Sequence, residues 1–188
     1  MTEIDGVDYG PLAQLIGEWQ GAEGTDVAPE PDGTETNPYF ETITFEAGGD
    51  VTNAEKQKLA IVPYVQIVKR KSNGEVFHHE MGYWLWDADA QTVIHSLTIP
   101  RAVSVLAGGT YNGETDAEGR VVLNVAAKMG DKDWGIIQSP FMRDNATTTE
   151  FRHTVSVGNG TLTYSETTML DIYGKAFEHT DGNTLTRV

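Results

Sequence analysis

Two stretches near the carboxyl end decide the fold: Gly160-Thr161-Leu162-Thr163-Tyr164-Ser165-Glu166-Thr167-Thr168-Met169-Leu170 and Phe177-Glu178-His179-Thr180-Asp181-Gly182-Asn183-Thr184-Leu185-Thr186-Arg187-Val188. The first reads as one long threonine-rich strand, and the second as a strand that runs to the last residue. A chain that ends in a strand pattern indicates a sheet that closes on itself. His179 stands where the chain re-enters that sheet, so an imidazole at the rim that can hold a ligand inside is one interpretation, and an exposed turn histidine held by Asp181 is the other.

Working outward from this end, most of the chain alternates polar and apolar residues with a period of two. Asn-Gly and similar turn signals separate the alternating segments by hairpin-short connections. The predicted strands include residues 76–86, 92–99, 103–111, 121–127, 134–141, 147–157 and 161–173. This pattern predicts an all-β fold, an antiparallel up-and-down barrel of about ten strands of the lipocalin or fatty-acid-binding type, as one domain spanning residues 1–188.

Two segments depart from the strand pattern. Pro11 and the apolar residues that follow it predict one short N-terminal helix, which ends near Gly17. The segment Thr25–Pro38 is rich in proline, glycine and acidic residues, so we expect a mobile loop that flanks one mouth of the barrel.

Composition excludes several classes of function. The 188 residues carry a formal net charge of -15, which argues against nucleic acid and anionic membrane surfaces as partners. The chain has no cysteine, so disulfides and thiolate metal sites are excluded. An acidic amino terminus is unlike a secretory signal. We therefore expect a cytoplasmic protein with a small-molecule ligand, and a homodimer stays open as its assembly.

A tryptophan between glycines opens the strand-rich part of the chain. In Gly17-Glu18-Trp19-Gln20-Gly21, the large ring suits a plug for one end of a small barrel, and the glycines let the strand bend around it. A simple packing role for Trp19 is the alternative.

His78 and Glu80 are the candidates for a metal site. Alternation places them on one face of a strand, where they form a two-ligand arm or an ion pair. A third ligand would come from His95 or His153. The spacing is weaker than a zinc signature, so hydrogen-bonded structural histidines are the other interpretation.

Several short motifs, taken in order, resemble the nitrobindin family, the heme-binding relatives of fatty-acid-binding-like barrels. They are the glycine-flanked Trp19, Tyr39-x-Glu41-x-x-x-Phe45, His78-x-Glu80-x-Gly82-Tyr83, Gly108-Gly109, Thr161-Leu162-x-Tyr164 and the closing Leu185-x-Arg187. The resemblance implies a ten-stranded barrel that holds heme b, with His179 as the axial ligand of the iron. Gly17, Trp19 and Gly21 match the glycine-tryptophan-glycine motif. Nitric oxide binding and isomerisation of peroxynitrite to nitrate are the implied activities.

An alternative function follows from two features of the same residues. His179 lies six residues before Leu185, one more than in the family pattern, and the predicted mouth is acidic. Both features suit a non-enzymatic carrier of a small apolar or amphipathic ligand, in a barrel that has lost heme binding.

Overall fold

The computed structural model describes residues 2–188, and antiparallel strands make up most of it. In chain order the elements are β1 (Glu3–Ile4), β2 (Val7–Asp8), a 3-10 helix (Gly10–Gln14), β3 (Gly17–Glu30), β4 (Gly33–Phe45), β5 (Asp50–Asn53), β6 (Gln57–Arg70), β7 (Val76–Asp87), β8 (Thr92–Ile99), β9 (Val103–Thr110), β10 (Val121–Lys128), β11 (Ile136–Gln138), α1 (Pro140–Asn145), β12 (Ala146–Gly158), β13 (Thr161–Ile172) and β14 (Lys175–Arg187).

Ten long strands form a closed barrel in which each strand pairs with its neighbour in the chain. The order around the barrel is β3, β4, β6, β7, β8, β9, β10, β12, β13 and β14. The last strand β14 pairs with the first strand β3, and β9 meets β10 at the register pair Gly108 and Ala126. The short strands β5 and β11 add to β6 and β9. The predicted all-β, up-and-down barrel of about ten strands is confirmed.

The two ends of the barrel differ. One end, which we call the His179 end, carries the turns at residues 31–32, 71–75, 100–102 and 173–174. The opposite end, the Trp19 end, carries the 3-10 helix and the turns at 88–91 and 159–160. No helix in residues 2–188 has the length and apolar character needed to cross a membrane.

An apolar cluster seals the Trp19 end. Pro11 begins the 3-10 helix, and Leu12, Leu15 and Trp19 are fully buried. The indole N–H of Trp19 donates to the carbonyl of Leu15 at 2.6 Å, while the Arg187 guanidinium lies 4.4 Å from the centre of the indole ring. Each of these buried side chains stabilises the fold by about 1.5–3 kcal/mol. Packed apolar side chains therefore close this end of the barrel.

The prediction of a loop across Thr25–Pro38 is wrong. The segment forms the ends of β3 and β4, which pair from Thr25 with Pro38 to Glu30 with Gly33. Pro31-Asp32-Gly33 is a strong turn signal, and the β-favouring Val27 and Thr36 continue the alternation on either side of it. The acidic and proline residues therefore belong to a long hairpin.

The predicted strand over residues 134–141 is right only in its centre. Only Ile136–Gln138 form a strand, and a helical turn follows from Pro140 to Asn145. The Oγ of Ser139 accepts a hydrogen bond from the Met142 N–H at 3.3 Å, and Pro140 occupies the first turn. A serine cap followed by proline favours a helix start over a strand.

Candidate functional site

His179 turns its side chain into the barrel from β14, on the same strand face as Asn183 and Leu185. Its Nε2 lies 2.6 Å from Oδ1 of Asp26 on β3, and 28% of the side chain is exposed. Asn37 on β4 donates to the other oxygen of Asp26 at 3.2 Å and holds the carboxylate in place. The predicted imidazole therefore lies at the rim, and a carboxylate already occupies one of its two nitrogens.

Three inward-facing carboxyl groups form a row across neighbouring strands. Glu166 on β13 is the register partner of Asp181 on β14, and Asp181 is the register partner of Asp26 on β3. Burial raises the pKa of Glu166 well above its ordinary range, and the charges of Glu80, Asp181 and Glu41 add to this effect. Like charges that face each other across strands are unfavourable. We call Asp26, Asp181 and Glu166 the carboxyl row.

Glu41 on β4 is the centre of a buried hydrogen-bond network. Its carboxylate accepts hydrogen bonds from Asn183 at 2.7 Å, from Gln66 at 2.5 Å and from Tyr164 at 3.0 Å. Burial nevertheless raises the pKa of Glu41 to about 7. Three donors stabilise the charged form, but the loss of hydration outweighs them.

Tyr39 links this network to the carboxyl row. Its hydroxyl lies 2.8 Å from that of Tyr164 and donates to Oδ1 of Asp181 at 2.5 Å. The Tyr39 side chain is fully buried. The interior of the barrel is therefore crossed by a chain of polar groups from β4 to β14.

A second network joins β6, β7 and β8. The hydroxyl of Tyr64 donates to Glu80, and the Nε2 of His95 lies 2.7 Å from the same hydroxyl oxygen. Since the single hydroxyl proton points to Glu80, Nε2 of His95 carries the proton and donates. The Nδ1 atom of His95 is then an acceptor.

His78 and Glu80 form an ion pair inside the barrel, with 3.4 Å between Nε2 and Oε2. Burial lowers the pKa of His78, but the hydrogen bond and the charge of Glu80 outweigh burial and raise it. Burial raises the pKa of Glu80, but His78 outweighs this effect and lowers it. Within residues 2–188, no group of three histidine or acidic side chains is arranged to hold a metal ion.

Two buried histidines have ring nitrogens without a partner. In residues 2–188, the buried side-chain polar atoms that lack a hydrogen bond are Nδ1 of His95 and both ring nitrogens of His153. Burial lowers the pKa of His95 to about 3 and that of His153 to about 4, so both rings are neutral near pH 7. Unpaired buried polar groups are costly, and in native proteins they usually have a hydrogen-bond partner in the protein, an ordered water or a ligand.

These two histidines border a small cavity in the middle of the barrel. Its volume is about 20 Å³, and Glu80, Tyr64 and Tyr164 also line it. A volume of this size holds about one water-sized group. A larger cavity of about 190 Å³ lies near Trp86 and Lys58, at the Trp19 end. His179 lines neither cavity.

Comparison with known proteins now assigns the family. The model of the "THAP4-like, heme-binding beta-barrel domain" matches residues 8–187. The chain belongs to this family. The predicted resemblance of the chain to the nitrobindin family is therefore confirmed. A crystal structure of Rv2717c from M. tuberculosis is similar in fold, with a TM-score of 0.67, 20% sequence identity and 94% of each chain covered. No curated protein matches the chain.

The THAP4-like family model is described as heme-binding, so a heme would have to fit the residues around His179. The donor chemistry of His179 is suitable, because ligating histidines commonly pair with a carboxylate. The described cavities do not supply the space, because neither of them reaches His179. In this arrangement of the THAP4-like barrel, neither cavity could hold a heme against that histidine.

Sequence reasoning identified only some of these residues. The structure brings His78 and Glu80 together, and it places Gly17, Trp19 and Gly21 in the first strand at the Trp19 end, away from His179. The prediction named Asp181 as the partner of His179, but the partner is Asp26, and neither Asp26 nor Glu166 was identified as a site residue. Alternation along β14 offered a signal, because it puts Asp181 on the face of His179 and Leu185.

Proposed function

We propose that this chain is a non-enzymatic binding protein that holds a small polar ligand inside the barrel. The unpartnered nitrogens of His95 and His153 beside the central cavity carry the proposal. Within residues 2–188 these are the fully buried side-chain polar atoms that lack a hydrogen-bond partner, so they are the groups to which a ligand adds hydrogen bonds. The lining combines such groups with apolar walls from Ile43 and Val155, and the volume of about 20 Å³ limits the part of the ligand held there to about the size of a water molecule.

Native mass spectrometry of the protein as purified tests this function. We expect a small adduct that disappears under denaturing conditions and that is absent from His153→Phe, which removes both nitrogens. His79→Phe is the matched control, because His79 is an exposed histidine on the next strand position to His78. An adduct that survives unchanged in His153→Phe, or a bare chain in every preparation, overturns the proposal.

Heme b is the second candidate ligand, and one observation favours it. The imidazole of His179 faces the interior and has a carboxylate partner, which is the usual setting of a metal-ligating histidine. Nitric oxide binding or peroxynitrite isomerisation would then be the activity. In that setting Asp26 would keep Nε2 of His179, and Nδ1 would be the ring nitrogen left to bind the iron.

A hemin titration separates the two candidates. If the small polar ligand is correct, hemin gives the same weak, unshifted Soret absorption with the wild type, His179→Ala and His79→Ala. A stoichiometric Soret shift that His179→Ala abolishes and His79→Ala preserves would establish heme and reject the first proposal.

A further inference from the structure

Among the described residues, the basic side chains that form ion pairs with the carboxyl row are histidines. Asp26, Asp181 and Glu166 are successive register partners on three neighbouring strands, and all three face the interior. Within residues 2–188, no lysine or arginine forms an ion pair with any of them. Their basic neighbours are imidazoles: His179 at 2.6 Å from Asp26, and His153 at 3.7 Å from Glu166.

His153 gives an independent reason to expect a ligand. It is the register partner of Glu166 on β12, so it continues the row by one strand. The side chain is 10% exposed, and neither ring nitrogen has a hydrogen-bond partner. A neutral imidazole offers one lone pair and one N–H. The unprotonated ring nitrogen of His153 is therefore an unused acceptor at the inner end of the carboxyl row, beside the central cavity.

We infer that His153 and Glu166, at the inner end of the carboxyl row, together bind a small organic cation that carries N–H donors, such as a protonated primary amine. This inference rests on the proposed function and gives its ligand a chemical class. An ammonium group can donate one N–H to the lone pair of His153 and another to Glu166, because Nδ1 of His153 and Oε2 of Glu166 are 3.7 Å apart. Hydrogen bonds between charged partners are about twice as strong as neutral ones.

Other ligand classes suit the site less well. An anion would face three carboxyl groups. A metal ion needs several ligands around one point, and the described residues 2–188 offer no such group of three. The cavity of about 20 Å³ accepts a head group of the size of ammonium or water. The formal net charge of -15 also attracts cations to the surface and speeds their arrival.

Four probes separate charge from hydrogen bonding: methylammonium, potassium ion, acetamide and acetate, each titrated by isothermal calorimetry at low ionic strength. We expect methylammonium to bind, and to bind at least tenfold more tightly than potassium, which has the same charge as an ammonium group and a similar radius but no N–H. We expect acetate not to bind. Acetamide tests whether the positive charge is needed, and we expect it to bind at least tenfold more weakly than methylammonium.

Variants locate the site. Glu166→Gln weakens methylammonium binding at least tenfold, whereas Glu178→Gln leaves the affinity unchanged. Glu178 is the matched control, because it lies on β14 with an exposed side chain and loses the same charge. Thermal unfolding of each variant establishes that it is folded. Equal affinities for Glu166→Gln and Glu178→Gln overturn the inference.

The outcomes separate this inference from the proposed function. If acetamide binds as tightly as methylammonium and His153→Phe abolishes binding of both, the small polar ligand stands and the cation class is rejected. If no probe binds and the native mass spectrum shows no adduct, both proposals fail.

Discussion

Gly24 on β3 lies against the ring of Tyr39 on β4, so closely that a Cβ at position 24 would occupy the space of the ring atoms Cε2 and Cζ. The two residues are register partners next to an irregularity in the strand pairing between Gly21 and Gly24. The hydroxyl of this ring donates to Asp181. The absence of a side chain on Gly24 therefore positions a polar group in the middle of the barrel.

We predict that Gly24→Ala destabilises the protein by about 1–3 kcal/mol, because the added methyl group forces the buried ring out of place. Chemical denaturation measures this change. Gly33→Ala is the control, since a Cβ there meets no atom within 4 Å, and it should have little effect. Equal losses in the two variants would contradict the proposed contact.

Glu41 should make stability depend on pH near neutrality. Its pKa is about 7 in the folded chain, against about 4.3 when unfolded. Between these values the folded state keeps a proton that the unfolded state releases. The free energy of unfolding therefore falls as pH rises through this window, and levels off above pH 7.

We predict that Glu41→Gln removes this fall, so that between pH 4 and pH 8 the wild type loses about 3 kcal/mol more stability than the variant. Urea denaturation at a series of pH values gives the comparison. Glu46→Gln, an exposed glutamate just after the same strand, should follow the wild type. Parallel curves for the wild type and Glu41→Gln would show that the carboxyl group titrates normally.

His153 should act in the opposite direction. Its pKa is lowered by burial to about 4, and an unfolded histidine titrates near 6.5. Between pH 6.5 and pH 4 the unfolded chain binds a proton at this histidine and the folded chain does not. The free energy of unfolding therefore falls as pH falls toward 4.

We predict that His153→Gln reduces the loss of stability between pH 7 and pH 4.5 by about 2–3 kcal/mol, measured in ligand-free protein. His79→Gln removes an exposed histidine and should leave the acid side of the curve unchanged. An acid curve that is the same for His153→Gln as for the wild type would mean that the imidazole is not buried in its neutral form.

Arg187 ties the last strand to the sealed Trp19 end. Its guanidinium donates to the carbonyls of Ile16 and Gln14, the latter at 2.7 Å, and lies over the Trp19 ring. We predict a loss of about 1–3 kcal/mol for Arg187→Ala, and a smaller loss for Arg187→Lys, which keeps the charge but not the planar fork. Arg101→Ala in an exposed turn should be neutral. The midpoint of denaturant unfolding distinguishes the three variants.

The barrel could be predicted from the sequence because alternation and turn signals are local properties. Strands such as β8 follow directly from their apolar positions, and the hairpin turns follow from Asn-Gly pairs. The hairpin of β3 and β4 escaped prediction because Pro31-Asp32-Gly33 was interpreted as loop composition, although it also encodes a tight turn. Proline, aspartate and glycine are typical both of mobile loops and of the tight turns in hairpins.

The site was less predictable because it depends on register between distant strands. Asp26 and His179 are 153 positions apart, and only the pairing of the first strand with the last brings them together. Glu166 and Asp181 belong to a chain rich in acidic residues, so composition does not distinguish them from solvated carboxylates. Their position opposite each other is a property of the closed sheet.

The single register pair between β9 and β10 sets how the barrel can exchange its contents. The other neighbouring barrel strands pair at several register positions each, whereas here Gly108 and Ala126 alone are paired and the ring of Trp134 covers Gly108. Separating β9 from β10 breaks few hydrogen bonds, so we expect water or a small ligand to enter and leave the barrel most readily between these two strands. The Trp134 ring covers this seam, and its fluorescence should report each separation of the strands.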